Sequence, residues 1–214
     1  MTRLWATIPL DDGGGSSLLK VMTLADLIVA GNLRRVVEIG VYRGRLLLPL
    51  AMTMASLGRG EAVGIDPYSA AAAVQTDDHN RGLDLVEWPR SVDWDALYEE
   101  TWARIEHWGL ADCCRLLRAR SADVAAAFDV SSVDLLHVDG NHDRDAVARD
   151  VELFLPKVRP GGFVVLDDAS WQSVRPTCDS LRASHELILQ VVDPHDVLLS
   201  TGQGNDFAVF RVTS

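Results

Sequence analysis

The chain has 214 residues, 48% of them apolar, enough for one sizeable globular domain and too few for a second large one. A formal charge of −11 would repel a phosphate backbone and argues against a nucleic-acid substrate. Three cysteines, two of them adjacent at Cys113 and Cys114, fit neither a disulfide framework nor a zinc spacing and read as thiols of a reducing compartment.

The N-terminus Met1–Ala6 has no charged head leading into an apolar signal core, and the longest apolar segment, Leu46–Leu57, is too short to span a bilayer. These features predict a soluble cytoplasmic protein with no membrane partner. Basic residues are nearly all arginine, with only Lys20 and Lys157 as lysines.

After a polar Asp11–Ser17 segment, Leu18–Ala30 carries apolar residues at helical spacing and stops at Gly31-Asn32, a plausible cap. Val36–Gly40 reads as a first strand and Gly40–Gly44 as a tight turn. Arg45–Leu57 reads as a helix that tolerates Pro49 only near its first turn. Ala62–Asp66 is a second strand, completing a βαβ unit that ends in an acid. Tyr68–Gly109 differs in character, with an alanine run, a polar Gln75–Arg81 stretch and tryptophans at 88, 94, 102 and 108. It reads as an insertion ending in a Trp94–Trp108 helix, either a lid over a site or a small satellite core.

Alternation resumes with strand Cys114–Arg118, helix Ala122–Phe128, strand Val133–Asp139, helix Arg144–Val158 and strand Phe163–Asp168, with Pro160-Gly161-Gly162 punctuating the helix exit. Glu186–Val192 and Asp206–Val212 read as two strands joined by a loop containing Gly202 and Gly204, an antiparallel pair at the sheet edge. The fold class is therefore α/β, with a doubly wound, mainly parallel seven-stranded sheet in one domain over residues 1–214 and an insertion at 68–109.

Two of these strands stop at carboxylates. Asp139-Gly140-Asn141-His142 and Asp167-Asp168 lie where apolar runs end, at the open edge of the sheet, and three aspartates and a histidine could converge there on one metal. Asp139, Asp167 and Asp168 offer the hard oxygens that suit Mg²⁺ or Mn²⁺, although helix capping and solvated strand ends use the same residues. His142, with an ordinary pKa near ~6.5, suits proton acceptance, or else is simply a first-turn histidine of the following helix. His137 lies inside its strand and reads as a core residue. Asp77, Asp78 and His79 have the residue types of a metal cluster but read more readily as a solvated loop.

Glycines at 40 and 44 let backbone approach a ligand, and Asp66 could accept hydrogen bonds from two ribose hydroxyls, although plain helix–strand packing also uses such glycines. Glu38 precedes the first glycine by two residues. Tyr42 stands where a dinucleotide site has its middle glycine, so a ligand without phosphates fits better. Trp171, Gln172 and Arg175 follow the acidic pair, placed either to touch an acceptor or to serve structure.

Glu38-Ile-Gly-Val-Tyr-Arg-Gly44 resembles the first motif of class I S-adenosylmethionine-dependent methyltransferases. Gly64-Ile-Asp-Pro-Tyr68 resembles their ribose-binding acid, and Ala119-Arg-Ser-Ala-Asp123 their adenine loop. The resemblance covers most of Val36–Arg211 and implies the Rossmann-like methyltransferase fold. It implies cofactor contacts at Glu38, Gly40, Tyr42, Gly44, Asp66, Ser121 and Asp139. Asp139-Gly-Asn-His142 with Asp167-Asp168 is similar to the metal-dependent O-methyltransferases, of the catechol type and more closely of the type that methylates macrolide sugars. That likeness implies Mg²⁺ (or Mn²⁺) on Asp139, Asp167 and Asp168, with His142 as general base where catechol-type members carry lysine. It also implies a small-molecule acceptor, a sugar or polyol hydroxyl in natural-product biosynthesis, touched by Trp171 and Arg175. Leu46 departs from the catechol-type pattern, which has a serine there for the cofactor's amino-acid end. Homologous enzymes often associate, which leaves a homo-oligomer open.

Elementary chemistry agrees with such an assignment. Ionising a hydroxyl of pKa about 16 at pH 7 costs on the order of 12 kcal/mol, and a general base supplies only roughly 3–5 kcal/mol. A divalent ion is the stronger lever. A nicotinamide-dependent oxidoreductase is disfavoured by Tyr42 in the glycine turn and by the lack of a Tyr-x-x-x-Lys arrangement. A non-catalytic nucleoside-binding domain would usually have lost one of Asp139, His142, Asp167 or Asp168, and all four are present.

Overall fold

A computed structural model describes residues 1–9, 15–77, 84–192 and 206–213, so Asp78, His79, Gly202 and Gly204 lie outside the described residues. A short helix α1 (Thr2–Thr7), which the sequence pattern did not announce, precedes α2 (Leu18–Ala30). Ser17 caps α2 by accepting the Lys20 N–H, and Gly31 closes it. The expected βαβ unit follows as β1 (Arg35–Ile39), α3 (Leu47–Leu57) and β2 (Glu61–Ile65). Pro49 falls in the first turn of α3, where a missing N–H breaks no helical hydrogen bond. The insertion holds α4 (Ala70–Ala73), α5 (Trp88–Ser91) and α6 (Trp94–His107), the last capped by the Asp93 carboxylate on the Ala96 N–H.

The second half runs through β3 (Cys114–Leu117), α7 (Ser121–Val124), β4 (Val133–Val138), α8 (Arg144–Phe154), β5 (Val158–Asp167), α9 (Arg175–Ser184), β6 (Glu186–Val191) and β7 (Phe207–Arg211). Two boundaries differ from the sequence reading. The α-helix expected to reach Val158 stops at Phe154, two residues before Pro156, and continues as one 3₁₀ turn. Pro160-Gly161-Gly162 lies inside β5 instead of before it. Val133 pairs with Val158 and Leu135 with Phe163, so the surplus residues are taken up by a bulge where Gly161 adopts φ +76°. Helix α9 was not predicted, because only Thr177, Cys178 and Leu181 on it are buried.

The strand order is β3-β2-β1-β4-β5-β7-β6. All pairings from β3 to β5 are parallel, and β7 inserts antiparallel between β5 and β6. The chain reverses its direction of travel across the sheet between β1 and β4, and ligands bind beyond the carboxyl ends of strands at such a switch point.

Alternate residues feed two cores. Val37, Ile39, Leu136, Val138, Val164 and Leu166 meet Val147, Val151 and Phe154 of α8 and Cys178 and Leu181 of α9. Val36, Leu135, Val165 and Phe207 meet Leu24 and Ile28 of α2 and Leu50 and Met54 of α3. Two residues further along the second face, the apolar row gives way to Glu38, His137 and Asp167, all buried. No helix among the described residues is long and apolar enough to cross a membrane.

Candidate active site

A cavity of about 490 Å³ opens at this switch point, a size suited to a small-molecule site. Its wall includes Glu38, Gly40, Tyr42, Asp66, Ser121, Asp139, His142, Asp167, Asp168 and Trp171, so the structure brings most of the sequence-predicted residues together.

The glycine turn is built for close approach. Gly40 has φ +85°, and a Cβ there would lie 1.9 Å from the Asp139 carbonyl oxygen, so the exits of β1 and β4 touch through backbone alone. Gly44 also has positive φ but is absent from the cavity wall; its space is bounded by Leu48 and Thr101, and its part is to turn the chain. Tyr42 adopts φ +48° and directs its ring to the insertion, in edge contact with Trp88 at 5.6 Å and Trp94 at 6.1 Å. The four tryptophans divide accordingly. Trp88 and Trp94 line the cavity, whereas Trp102 and Trp108 pack into a satellite core with Leu97 and Ile105.

Asp66 does more than its position predicted. Its Oδ2 accepts the Val41 and Tyr42 N–H groups at 2.9 and 3.0 Å, and its Oδ1 accepts the Tyr68 N–H at 2.7 Å. It therefore staples the glycine turn to the end of β2, with second lone pairs left to face the cavity. Burial raises its pKa, and the three amides act against that rise. Ser121 begins α7 and donates its hydroxyl to Asp150 of α8, a buried carboxyl whose pKa burial lifts to about 6.

The acidic centre forms around two strand ends. Burial, then the proximity of Asp167, pushes the Asp139 carboxyl well above its usual range. Asp168 takes φ +47°, a conformation aspartate tolerates, and its loop is held by Asp206, whose carbonyl accepts the Asp168 N–H and whose carboxylate accepts the Ser170 N–H. His142 Nε2 lies 3.7 Å from Asp139 Oδ1 and 3.6 Å from Asp168 Oδ2, and its ring packs 5.1 Å from that of Trp171.

Lys20, unassigned by the sequence reading, is 1% exposed and forms an ion pair with Asp167. Burial opposes ionisation of Asp167, but Lys20 and then His137 hold its carboxyl below the usual range. This qualifies the predicted metal trio, because one oxygen of Asp167 is already engaged by an ammonium. Among the described residues, the group whose ligand atoms close within 4.8 Å of one another is Glu38, His137 and Asp139, sharing one member with that trio. His137 is fully buried, its Nδ1 3.3 Å from Glu38 Oε1, and burial drives its pKa down to about 3, as a neutral core histidine requires. Glu38, paired in register with His137, is raised well above its usual range by the same burial.

Two expected acceptor contacts are not brought to the cavity. Arg175 opens α9, is exposed, and donates to the Ser170 carbonyl; Gln172 is likewise exposed, and neither lines the wall. Their closeness in sequence to Asp168 misled because the chain turns away into a helix. The Asp77 carboxylate accepts the Arg144 N–H. Other working residues went unseen. Asn141 donates to the Ala72 and Val74 carbonyls, tying the insertion to the β4 exit. Arg45 donates to the Ser16 carbonyl and stacks 3.8 Å over Trp5, fastening the N-terminal segment beside the cavity. A lysine on the apolar stripe of a predicted helix was the one readable signal.

Residues 37–169 match a protein family described as a methyltransferase domain. No curated protein matches the chain in sequence. Among solved structures it is similar to the O-methyltransferase TomG of Streptomyces achromogenes, involved in tomaymycin synthesis and bound to S-adenosylmethionine. That match has 20% identity and a TM-score of 0.65 over 94% of this chain and 82% of that one. It is similar to the O-methyltransferase NovP at 19% identity and TM-score 0.67, covering 92% and 79% of the two chains. An O-methyltransferase of Bacillus cereus in complex with SAH matches at 17% identity and TM-score 0.63 over 100% and 87%. At such identities the likeness is one of fold.

Proposed function

Because the chain belongs to this methyltransferase-domain family, we propose that it is an S-adenosylmethionine-dependent O-methyltransferase acting on a small-molecule hydroxyl, a sugar or polyol of natural-product biosynthesis. The observation that carries the reading is His142 in the cavity wall, flanked by Asp139 and Asp168 at 3.7 and 3.6 Å. The description of TomG as involved in tomaymycin synthesis is in keeping with natural-product biosynthesis.

The cofactor fits a wall where Gly40 has no room for a Cβ and Asp66 stands at the end of β2. When bound it would supply an electrophilic methyl group, the methyl–sulfur bond breaking with its electrons left on the departing S-adenosylhomocysteine thioether. Asp66 would accept from the ribose hydroxyls, while Ser121 at the start of α7 and Asp150 of α8 would meet the adenine. A divalent cation fits by donor chemistry, since three carboxyl groups stand together in the cavity wall and a bound ion would hold Asp139 ionised against the burial that raises its pKa. Asp139, Asp167 and Asp168 would hold Mg²⁺ or Mn²⁺, which supplies Lewis acidity towards the hydroxyl.

His142 takes the hydroxyl proton at Nε2 as the carbon–oxygen bond forms. Asp168, whose Oδ2 lies 3.6 Å from Nε2, favours the imidazolium that results. Trp171 packs on the imidazole and restricts its orientation. Tyr42, Trp88 and Trp94 present apolar rings that exclude water and can face a sugar ring, so the 68–109 insertion serves as a lid. We place the reaction in the cytoplasm, in keeping with three unpaired cysteines among the described residues.

The test combines binding with catalysis. Metal-stripped protein should bind S-adenosylhomocysteine in a calorimeter and then give a heat with Mg²⁺ that Asp167→Ala abolishes. With a panel of sugar and phenol acceptors, His142→Ala should lower turnover by roughly 10²- to 10⁴-fold and alter the pH profile. No binding of the nucleoside would refute the reading, and an unchanged rate at every pH would remove His142 as base.

A further inference from the structure

Lys20 occupies a place that packing does not explain. It lies on the buried stripe of α2 with Val21, Leu24, Ala25 and Ile28, where an apolar side chain would serve the core. Burying an ammonium is costly, and replacing a buried ion pair by apolar groups is often neutral or stabilising. Yet the ammonium is placed with care. It pairs with Asp167, stands 5.9 Å from the Phe207 ring centroid, and feels the charges of Asp139 and Asp168. It is not part of the cavity wall, whereas all three aspartates are. Lys20 therefore approaches the acid cluster from behind, and the cavity lies in front.

We propose that Lys20 is a positioning residue of the reaction centre, a fixed cation that holds Asp167 from the rear and sets how tightly the acid cluster takes a divalent ion. The inference rests on the metal reading given above. Once a bound ion has displaced the Asp139 proton, the three carboxylates and Lys20 carry a net charge of −2, and without the lysine the carboxylates carry −3. Like charges this close repel strongly at the effective dielectric of a partly buried site, so the lysine weakens ion binding by roughly ten-fold or more. The loose hold it leaves on Asp167 when removed acts in the other direction and is the smaller effect, because Asp167 is fixed by its place at the end of β5.

The experiment is a Mn²⁺ titration followed by electron paramagnetic resonance, on the full chain as wild type, Lys20→Met and Lys20→Gln. The Met variant fills the stripe without charge; the Gln variant keeps a donor for Asp167 if Met disturbs folding. A cooperative thermal transition qualifies each variant as folded. The expected result is a Mn²⁺ dissociation constant at least about ten-fold lower in a folded variant than in the wild type. Equal or weaker Mn²⁺ binding in the folded variants, with binding by the wild type, overturns the role of Lys20 alone. Absence of Mn²⁺ binding in all three proteins overturns the metal reading and this inference with it.

Discussion

Removal of the Asp66 carboxylate should unfold the glycine turn before it affects any ligand. Its two oxygens accept three backbone N–H groups, from Val41, Tyr42 and Tyr68, and the carboxylate is 8% exposed. In Asp66→Ala these donors lose their partner, at roughly 1–3 kcal/mol each for buried groups, or about 3–9 kcal/mol in all. Two effects reduce the sum. Tyr42 is only half-buried and its N–H can find water, and the burial that raises the Asp66 pKa is no longer opposed to folding. A net loss of about 3–5 kcal/mol remains, large for one substitution. Asp66→Asn keeps one acceptor oxygen and should lose about half as much. Urea denaturation of ligand-free protein at neutral pH, followed by tryptophan fluorescence, measures both. A loss below about 1 kcal/mol in Asp66→Ala would refute the staple and leave Asp66 as a ligand group alone. Calorimetry with S-adenosylhomocysteine on Asp66→Asn then reads the ribose contact separately.

Gly40→Ala should be more severe than an exposed glycine change, since the new Cβ would lie 1.9 Å from the Asp139 carbonyl oxygen at φ +85°. A cost of about 3 kcal/mol or more should lower the melting temperature by roughly 6–12 °C and abolish nucleoside binding; a wild-type melting curve would contradict the close approach of β1 and β4. Asp150 carries a pH signature. Its folded pKa of about 6 exceeds the usual 3.8, so its stabilising proton uptake is complete below pH 3.8 and is lost as pH rises through about 6. The ionised side chain then opposes folding by on the order of 3 kcal/mol at pH 7.5. Asp150→Asn should therefore raise the melting temperature at pH 7.5 and flatten its slope between pH 4 and 6, and an unaltered slope would count against that burial.

Much of this arrangement is written in local pattern. β1, β2 and β4 show as short apolar runs because parallel strands are covered on both faces, and the acids that end them stand out against that background. Asp139, His142 and Asp168 were visible for the same reason. What escaped was set by distant partners. Lys20 meets Asp167 across 147 positions, and no local spacing encodes that pair. The Asp66 bonds reach backbone amides 24 and 25 residues back, which side-chain identity cannot signal. Arg175 stands close in sequence to the acids, but helix α9 carries it outward, where it donates to the Ser170 carbonyl.

The bonds that join the insertion to the loop that carries His142 have a bearing on how such a protein can change over generations. Asn141 grips the carbonyls of Ala72 and Val74, and Asp143 grips the N–H groups of Thr76 and Asp77. Both fixings come from the loop side and hold main chain, so they are indifferent to which side chains the insertion displays at Ala72 and Val74. A substitution at Ala72, which lines the cavity, can reshape that wall without loosening the loop that carries His142, and under the proposed function new acceptors can then be explored while the proposed base stays in place.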